Sequence, residues 1–213
     1  MRTRIIRCNA VQTTQTDLLK AIRDSDNREA WGAFYNIYAP MIASFTRRLG
    51  VEPSDADDVS QDVLMIAQRS VRDGVFDPTK GRFRSWLYGI ARKRSWAMRR
   101  ARQRPTRAQA VPHDDGVDLL GSIEDRGDDA ERAIWEQEWR YALLDEALRQ
   151  LQSQFGKKAL RAFEMFGVQR LPADQVANEL GISTASVYSY KNRILSAIKE
   201  WVARFEDDAE AQP

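Results

Sequence analysis

Residues 171–201 constrain the fold of this chain more than any other stretch, because their sequence indicates two helices joined by a tight turn. Pro172 suits the start of a helix, where its missing N–H removes no hydrogen bond. Gly181 can adopt the left-handed conformation that often ends a helix, and the Ser183 hydroxyl can then cap a second one. The pattern predicts a helix-turn-helix.

The second helix of this pair is predicted to have two different faces. Val187, Ile194, Ile198 and Val202 recur at helical spacing and form the predicted inner face. The outer face near the helix start carries small and polar side chains, of a size that a DNA major groove accepts. These are Ala185, Ser186, Tyr188, Ser189, Asn192 and Arg193. The face predicts DNA binding, and the alternative is a helical hairpin whose outer face is only solvated.

The formal net charge of +2 hides a strong segregation of charge along the chain. Residues 76–107 hold eleven Lys or Arg and a single acid, Asp77, whereas residues 113–138 hold ten acids and two arginines. The basic segment favours nucleic-acid binding, and the acidic segment favours a solvated or self-shielding role.

Apolar residues recur at helical spacing over most of the chain, and no region has the alternating pattern of strands. The predicted fold class is all-α, with two helical domains joined by a flexible linker and the helix-turn-helix in the C-terminal domain. Two helices are expected within residues 17–50, with Pro40 interrupting the second. The predicted divisions are a flexible arm at 1–16, a first domain at 17–103, a linker at 104–128, a second domain at 129–206 and a tail at 207–213.

An acidic helix is predicted shortly before the basic segment. Asp57, Asp58, Gln61 and Asp62 lie on its outer face. Acids in a first turn stabilise a helix through its dipole, which accounts for Asp57 and Asp58 but does not account for Gln61 and Asp62. The spacing leaves two alternatives open, a solvated helix start and a docking surface for a basic partner.

The basic segment contains a loop at 74–84 and a predicted helix at 85–102. Its Lys and Arg side chains can neutralise phosphates, and its aromatic side chains can stack on unpaired bases. The tryptophans could instead belong to the core, and Trp86 can serve both purposes. Eleven bases with a single acid are too many for an ordinary solvated face, so nucleic-acid binding is favoured.

The composition excludes several classes of site. Cys8 and His113 are the only cysteine and histidine, so neither an internal disulfide nor a Cys/His zinc cluster can form. No catalytic set and no glycine-rich phosphate loop is found, which predicts a protein that is not an enzyme and needs no cofactor or metal. A metal-dependent nucleic-acid-processing enzyme that uses the acids at 57–62 is the less favoured alternative. The N-terminus lacks the apolar core of a signal peptide and no stretch could span a membrane, which predicts a cytoplasmic protein without membrane insertion.

Five motifs follow one another in a distinctive order. They are an aromatic-rich start (WGAFYNIYAPMIASF), an acidic helix (DADDVSQDVLMIAQ), a loop (FDPTKGRFR), an Arg-rich helix beginning WLYGIAR and the C-terminal helix-turn-helix. In this order they resemble the extracytoplasmic-function sigma factors of bacterial RNA polymerase, over roughly residues 17–205. The most specific part is ADDVSQDV, followed about twenty residues later by FRSWLYGIAR.

The resemblance implies a promoter-specificity subunit whose partners are core RNA polymerase and promoter DNA, with an anti-sigma factor as a further candidate partner. The motif that docks on the core enzyme in the family matches Asp57, Asp58, Gln61 and Asp62. The part that captures and melts the −10 element matches Lys80, Arg82, Arg84, Trp86, Arg92 and Lys93. The six residues on the outer face of the last helix would contact the −35 element.

Four positions depart from the family pattern. Lys93 and Ala97 stand where many members carry Asn and Asp, and Tyr188 and Tyr190 stand where bases are usual. Fewer charges on the reading helix predict weaker non-specific attraction to phosphates and a different base preference. The alternative function is a stand-alone helix-turn-helix transcriptional regulator, which would bind duplex DNA without polymerase.

Overall fold

The structure is a computed structural model that describes residues 15–24, 26–103 and 129–210. The predicted linker, and most of the predicted N-terminal arm, lie outside these described residues. Within them the chain forms eight α-helices, one 3₁₀ turn and one π turn, and no strand. The prediction of an all-α fold is confirmed.

The helices follow the sequence periods closely. Their bounds are α1 Gln15–Ala21, α2 Arg28–Arg48, α3 Pro53–Arg72, α4 Phe83–Gln103, α5 Asp129–Leu151, α6 Lys157–Phe163, α7 Ala173–Leu180 and α8 Thr184–Glu210. A 3₁₀ turn at Pro78–Lys80 precedes α4, and a π turn at Glu164–Val168 follows α6. Across the described ranges, no helix has the length and apolar character that crossing a membrane requires.

The described chain divides into two compact units, and the division falls inside α5, after Leu143. The N-terminal unit comprises the described residues of 15–143, and the C-terminal unit comprises residues 144–207. The N-terminal unit therefore includes the first part of α5, which the sequence had assigned to the second domain.

Helix α2 supplies much of the core of the N-terminal unit. Its Phe34 and Phe45 side chains are fully buried. Pro40 lies inside α2 without interrupting it, so the expectation of a break was wrong. A proline inside a helix costs about 3 kcal/mol, and burying one large apolar side chain returns about 1.5–3 kcal/mol. The buried neighbours Met41 and Ile42 therefore offset the lost hydrogen bond.

The C-terminal unit contains the helix-turn-helix formed by α7 and α8. Gly181 ends α7 in the left-handed conformation, at φ 60° and ψ 51°. The Ser183 hydroxyl oxygen accepts the backbone N–H of Ser186 at 3.1 Å and so caps α8, as the sequence predicted. A small core beneath the turn consists of Ala162, Met165, Val176, Ala177 and Val187.

Candidate docking and nucleic-acid interfaces

Most of the acidic face of α3 is exposed. Asp57, Asp58 and Gln61 are exposed and Asp62 is half-buried. In the part of the chain that the structure describes, none of the three carboxylates makes an ion pair. Because the opposite face of α3 is buried through residues such as Val59, the acids can point only to solvent or to a partner.

Asp55, near the start of the same helix, is different. Its carboxylate lies 2.7 Å from Arg102 Nε at the end of α4. Helix α4 thus neutralises the first acid of α3 and leaves the later ones uncompensated. The acids further along the helix are therefore the ones available to a basic partner.

Lys80 and Arg82 lie on the exposed loop before α4, and the Lys80 side chain is 83% exposed. The preceding turn is capped by Asp77, which accepts hydrogen bonds from the Thr79 hydroxyl at 2.7 Å and the Thr79 N–H at 2.9 Å. These hydrogen bonds, and to a lesser extent the charge of Lys80, hold the pKa of Asp77 below its ordinary value. The cap stays charged and fixes the loop from which the two cations project.

Arg84, in the first turn of α4, is held by α5. Its guanidinium donates to the Glu136 carboxylate and lies 4.6 Å from the centre of the Trp139 ring. Only 22% of the Arg84 side chain is exposed. One of the six residues predicted to contact the −10 element is therefore already engaged within the unit.

Arg92 is engaged in a similar way about two turns further along α4. It forms an ion pair with Glu131, and its guanidinium lies 4.8 Å from the centre of the Trp96 ring. The Trp96 indole N–H donates to the same carboxylate at 3.3 Å. Trp96 is nevertheless 42% exposed, so its ring can still stack on an unpaired base.

Trp86 and Lys93 complete the set predicted for the −10 element, and both are half-buried. The Trp86 ring packs against Phe76 at 5.2 Å and Phe83 at 5.5 Å between ring centres. Its indole N–H is buried and has no hydrogen-bond partner among the described residues. Trp86 therefore packs as a core residue at the base of the loop.

The first part of α5 packs on α2 through two tryptophans. The Trp139 ring stacks on Tyr38 with 5.5 Å between ring centres, and Trp135 meets Phe45 edge-on at 5.0 Å. Both tryptophans are at most 2% exposed. Aromatic burial of this size anchors residues 129–143 to the N-terminal unit.

The acidic segment neutralises arginines of its own unit. Besides the pairs of Glu131 and Glu136, Glu138 lies 2.8 Å from Arg48 and is only 8% exposed. These glutamates therefore shield basic side chains of the same unit, which is one of the two roles that the charge pattern allowed.

Most of the predicted outer face of α8 is exposed. Ser186 is half-buried because its hydroxyl lies 2.8 Å from that of Ser183, and Tyr190 packs against the core beneath the turn. The exposed residues of the predicted set are Ala185, Tyr188, Ser189, Asn192 and Arg193.

Two phenylalanines outside the helix-turn-helix contact side chains of α8. The Phe166 ring meets Tyr188 edge-on at 5.1 Å and lies 5.0 Å from the Lys191 ammonium. The Arg193 guanidinium lies 5.9 Å from the Phe155 ring. Within the described residues neither cation makes an ion pair, whereas Arg84 and Arg92 each pair with a glutamate.

Sequence reasoning missed several members of these surfaces. Met65 is 42% exposed, and its spacing from Asp58 and Gln61 could have placed it on the acidic face. The charge pattern placed Glu131 and Glu136 in an acidic segment, but it did not identify the arginines that they pair with. Phe166 left no signal at all, because its contacts with α8 depend on the π turn that carries it.

Comparisons with known proteins point to one family. Residues 34–105 match the family model for sigma-70 region 2. The ECF RNA polymerase sigma factor RpoE of Cereibacter sphaeroides is 25% identical over 187 residues, which is 88% of this chain and 92% of that protein. The RNA polymerase sigma factor CnrH of Cupriavidus metallidurans is 34% identical over 89 residues, which is 40% of this chain and 45% of that protein.

A solved structure of CnrH in complex with the cytosolic domain of CnrY covers 92% of this chain and 99% of that chain, with a TM-score of 0.35 and 19% identity. The region 2 match covers α3, the basic loop and α4, where two of the three candidate surfaces lie. Residues 34–105 thus match sigma-70 region 2. Over most of its length the chain is similar to a sigma factor of the extracytoplasmic-function group.

Proposed function

We propose that the chain directs RNA polymerase to promoters through three surfaces. The acidic face of α3 docks on the core enzyme, the basic loop and α4 capture and open the −10 element, and the exposed start of α8 contacts the −35 element. As a sigma factor the chain acts in transcription initiation, with core RNA polymerase and promoter DNA as its partners. Bond formation belongs to the polymerase in this scheme.

One observation carries the proposal: the outward acids of α3 have no ion-pair partner among the described residues, although the chain has 33 Lys and Arg. Acids that fold without internal partners are available to a basic surface, and charge complementarity favours the correct partner. Met65 adds an apolar contact within the same face, and methionine is enriched in protein interfaces.

In the proposed −10 contact, DNA phosphates compete with glutamates of α5 for arginines of α4. A DNA strand that uses Arg84 and Arg92 must displace Glu136 and Glu131. Lys80 and Arg82 are exposed and can attract the strand first. Bases that leave the stack cost a few kcal/mol, and stacking on an exposed ring such as that of Trp96 offsets about 1–3 kcal/mol per base.

Removing the two competing charges is expected to tighten the binding of single-stranded −10 DNA. Partly exposed ion pairs stabilise by about 0.2–1 kcal/mol each, so Glu131→Gln with Glu136→Gln is expected to increase affinity about 2- to 30-fold. The measurement is a fluorescence-anisotropy titration with a labelled single strand carrying the −10 element.

The matched control removes two exposed acids of the same unit that contact neither arginine, with Glu29→Gln and Glu52→Gln. It changes the net charge equally and is expected to leave affinity within about twofold. An equal gain in both variants would show a general charge effect and contradict the competition.

The −35 contact depends on side chains that are exposed and uncompensated. Arg193→Ala is expected to reduce discrimination at one position of the −35 element by about 1–3 kcal/mol, because a base contact is lost. Run-off transcription on promoters that differ at single positions measures this value. An equal loss on every promoter would instead make Arg193 a phosphate contact.

An anti-sigma factor, if it binds this chain, would act by covering the same surfaces, above all the acidic face of α3. The rival function is a stand-alone helix-turn-helix regulator. The two are separated by run-off transcription with core polymerase on a library of random promoters. We expect initiation from a defined subset of promoters only when the chain is added, and tight duplex binding without core enzyme would favour the regulator instead.

A further inference from the structure

We propose that Phe166, which lies outside both helices of the helix-turn-helix, positions the residues that contact duplex DNA. Its ring sets Tyr188 against the methyl group of a thymine in the major groove and Lys191 against a neighbouring phosphate. The inference rests on the proposed −35 contact and extends it by naming the group that is recognised and the residue that orders the contact.

The first support is the place of Phe166 in the chain. It lies on the π turn Glu164–Val168, and turns of this kind are frequent at functional sites. One side of Phe166 packs against the small core beneath the turn. This packing holds the Phe166 ring in place, so that the ring presents a fixed surface to α8.

The second support is the contact with Tyr188. The two rings meet at 84° with 5.1 Å between their centres, the edge-to-face arrangement that aromatic pairs prefer. Tyr188 remains 52% exposed, so the contact selects one rotamer without covering the ring. A side chain held in its bound rotamer loses less entropy when it binds.

The third support is Lys191, which lies one turn after Tyr188 on the same side of α8. Its ammonium is 5.0 Å from the centre of the Phe166 ring. An aromatic ring attracts a cation without neutralising it, so Lys191 keeps the charge that a phosphate needs. The Phe166 ring thus holds the apolar edge of Tyr188 and the positive charge of Lys191 side by side.

The chemistry of the ligand follows from this pairing. In the major groove the thymine 5-methyl group is the apolar feature that side chains read by contact. Phosphates flank every base, and lysine binds them as a point charge. The pair of side chains therefore fits thymine in duplex DNA.

The test replaces each thymine of a −35 element with uracil, which removes only the methyl group, and measures run-off transcription with core polymerase. At one position the wild-type chain is expected to lose about fourfold in initiation, the value for one buried methyl group. Phe166→Leu keeps an apolar side chain on the core but has no ring, and it is expected to lose less than about 1.5-fold at that position. Phe166→Tyr keeps the ring and is expected to retain the wild-type sensitivity.

A double-mutant cycle separates positioning from a merely structural role. The readout is the sensitivity to the thymine methyl group, which the proposal assigns to Tyr188 and not to Lys191. If Phe166 acts on it through Tyr188, Phe166→Leu combined with Tyr188→Ala is expected to lose no more of this sensitivity than Tyr188→Ala alone. Three results would each overturn the inference, provided that promoter-specific transcription persists. They are additive losses in the double variant, a uracil effect that survives in Phe166→Leu, and a wild-type chain that is insensitive to the loss of every thymine methyl group. If the wild-type chain supports no specific transcription with core enzyme, the proposed function fails, and the inference fails with it.

Discussion

Reversing two charges on α3, with Asp58→Arg and Asp62→Arg, is expected to lower the affinity for core RNA polymerase about 100-fold or more. Like charges brought together across an interface cost several kcal/mol, and each 1.4 kcal/mol is a factor of ten. Neither carboxylate makes an ion pair among the described residues, so the substitutions break no internal ion pair there. The measurement is a binding titration of the labelled chain with core enzyme.

The control for this variant reverses two exposed acids near the start of α2, with Asp26→Arg and Glu29→Arg. It changes the net charge by the same amount on the same unit and is expected to leave core affinity within about threefold. In both variants the free energy of unfolding is expected to change by no more than about 0.5 kcal/mol for each exposed position changed. Normal core affinity of the α3 variant would show that the enzyme docks elsewhere.

Trp139→Ala is expected to lower the free energy of unfolding of the N-terminal unit by about 3–5 kcal/mol, the usual cost of removing a buried tryptophan. The ring is 1% exposed, stacks on Tyr38 and lies under the Arg84 guanidinium. Urea unfolding followed by circular dichroism measures the loss. The variant also releases Arg84 from a ring that holds it.

Trp96→Ala provides the matched comparison, because Trp96 is 42% exposed and its ring also lies against an arginine of α4, Arg92. Its cost is expected to stay below about 1 kcal/mol, the range of exposed cation–π contacts. A loss as small as this for Trp139→Ala would contradict the anchoring of the first part of α5 on α2.

The helix-turn-helix could be predicted from the sequence because its signals are local. Gly181 ends α7 and Ser183 caps α8 through their own backbone conformation and nearest neighbours. The outward acids of α3 were equally predictable, since helical spacing alone separates Asp58 from the buried Val59. Local rules of this kind need no knowledge of distant partners.

The partners of α5 could not be predicted in this way. The helical spacing of Trp135 and Trp139 predicts a buried face on α5. The same face could pack against any apolar surface, and the spacing does not identify that surface. Pro40 was misread for a related reason, because the packing that offsets its cost is tertiary. Where tertiary burial outweighs a local preference, a sequence pattern predicts the wrong outcome.

Permanganate oxidation of unpaired thymines is the measurement that tests promoter opening by this chain most directly. With core RNA polymerase and the chain together, we expect thymines of the −10 element to become reactive on a promoter selected from the library. Neither component alone is expected to produce that reactivity, and Asp58→Arg with Asp62→Arg should abolish it. Protected thymines under conditions where the chain and the core enzyme are bound together would contradict the assignment of Lys80–Lys93 to strand opening.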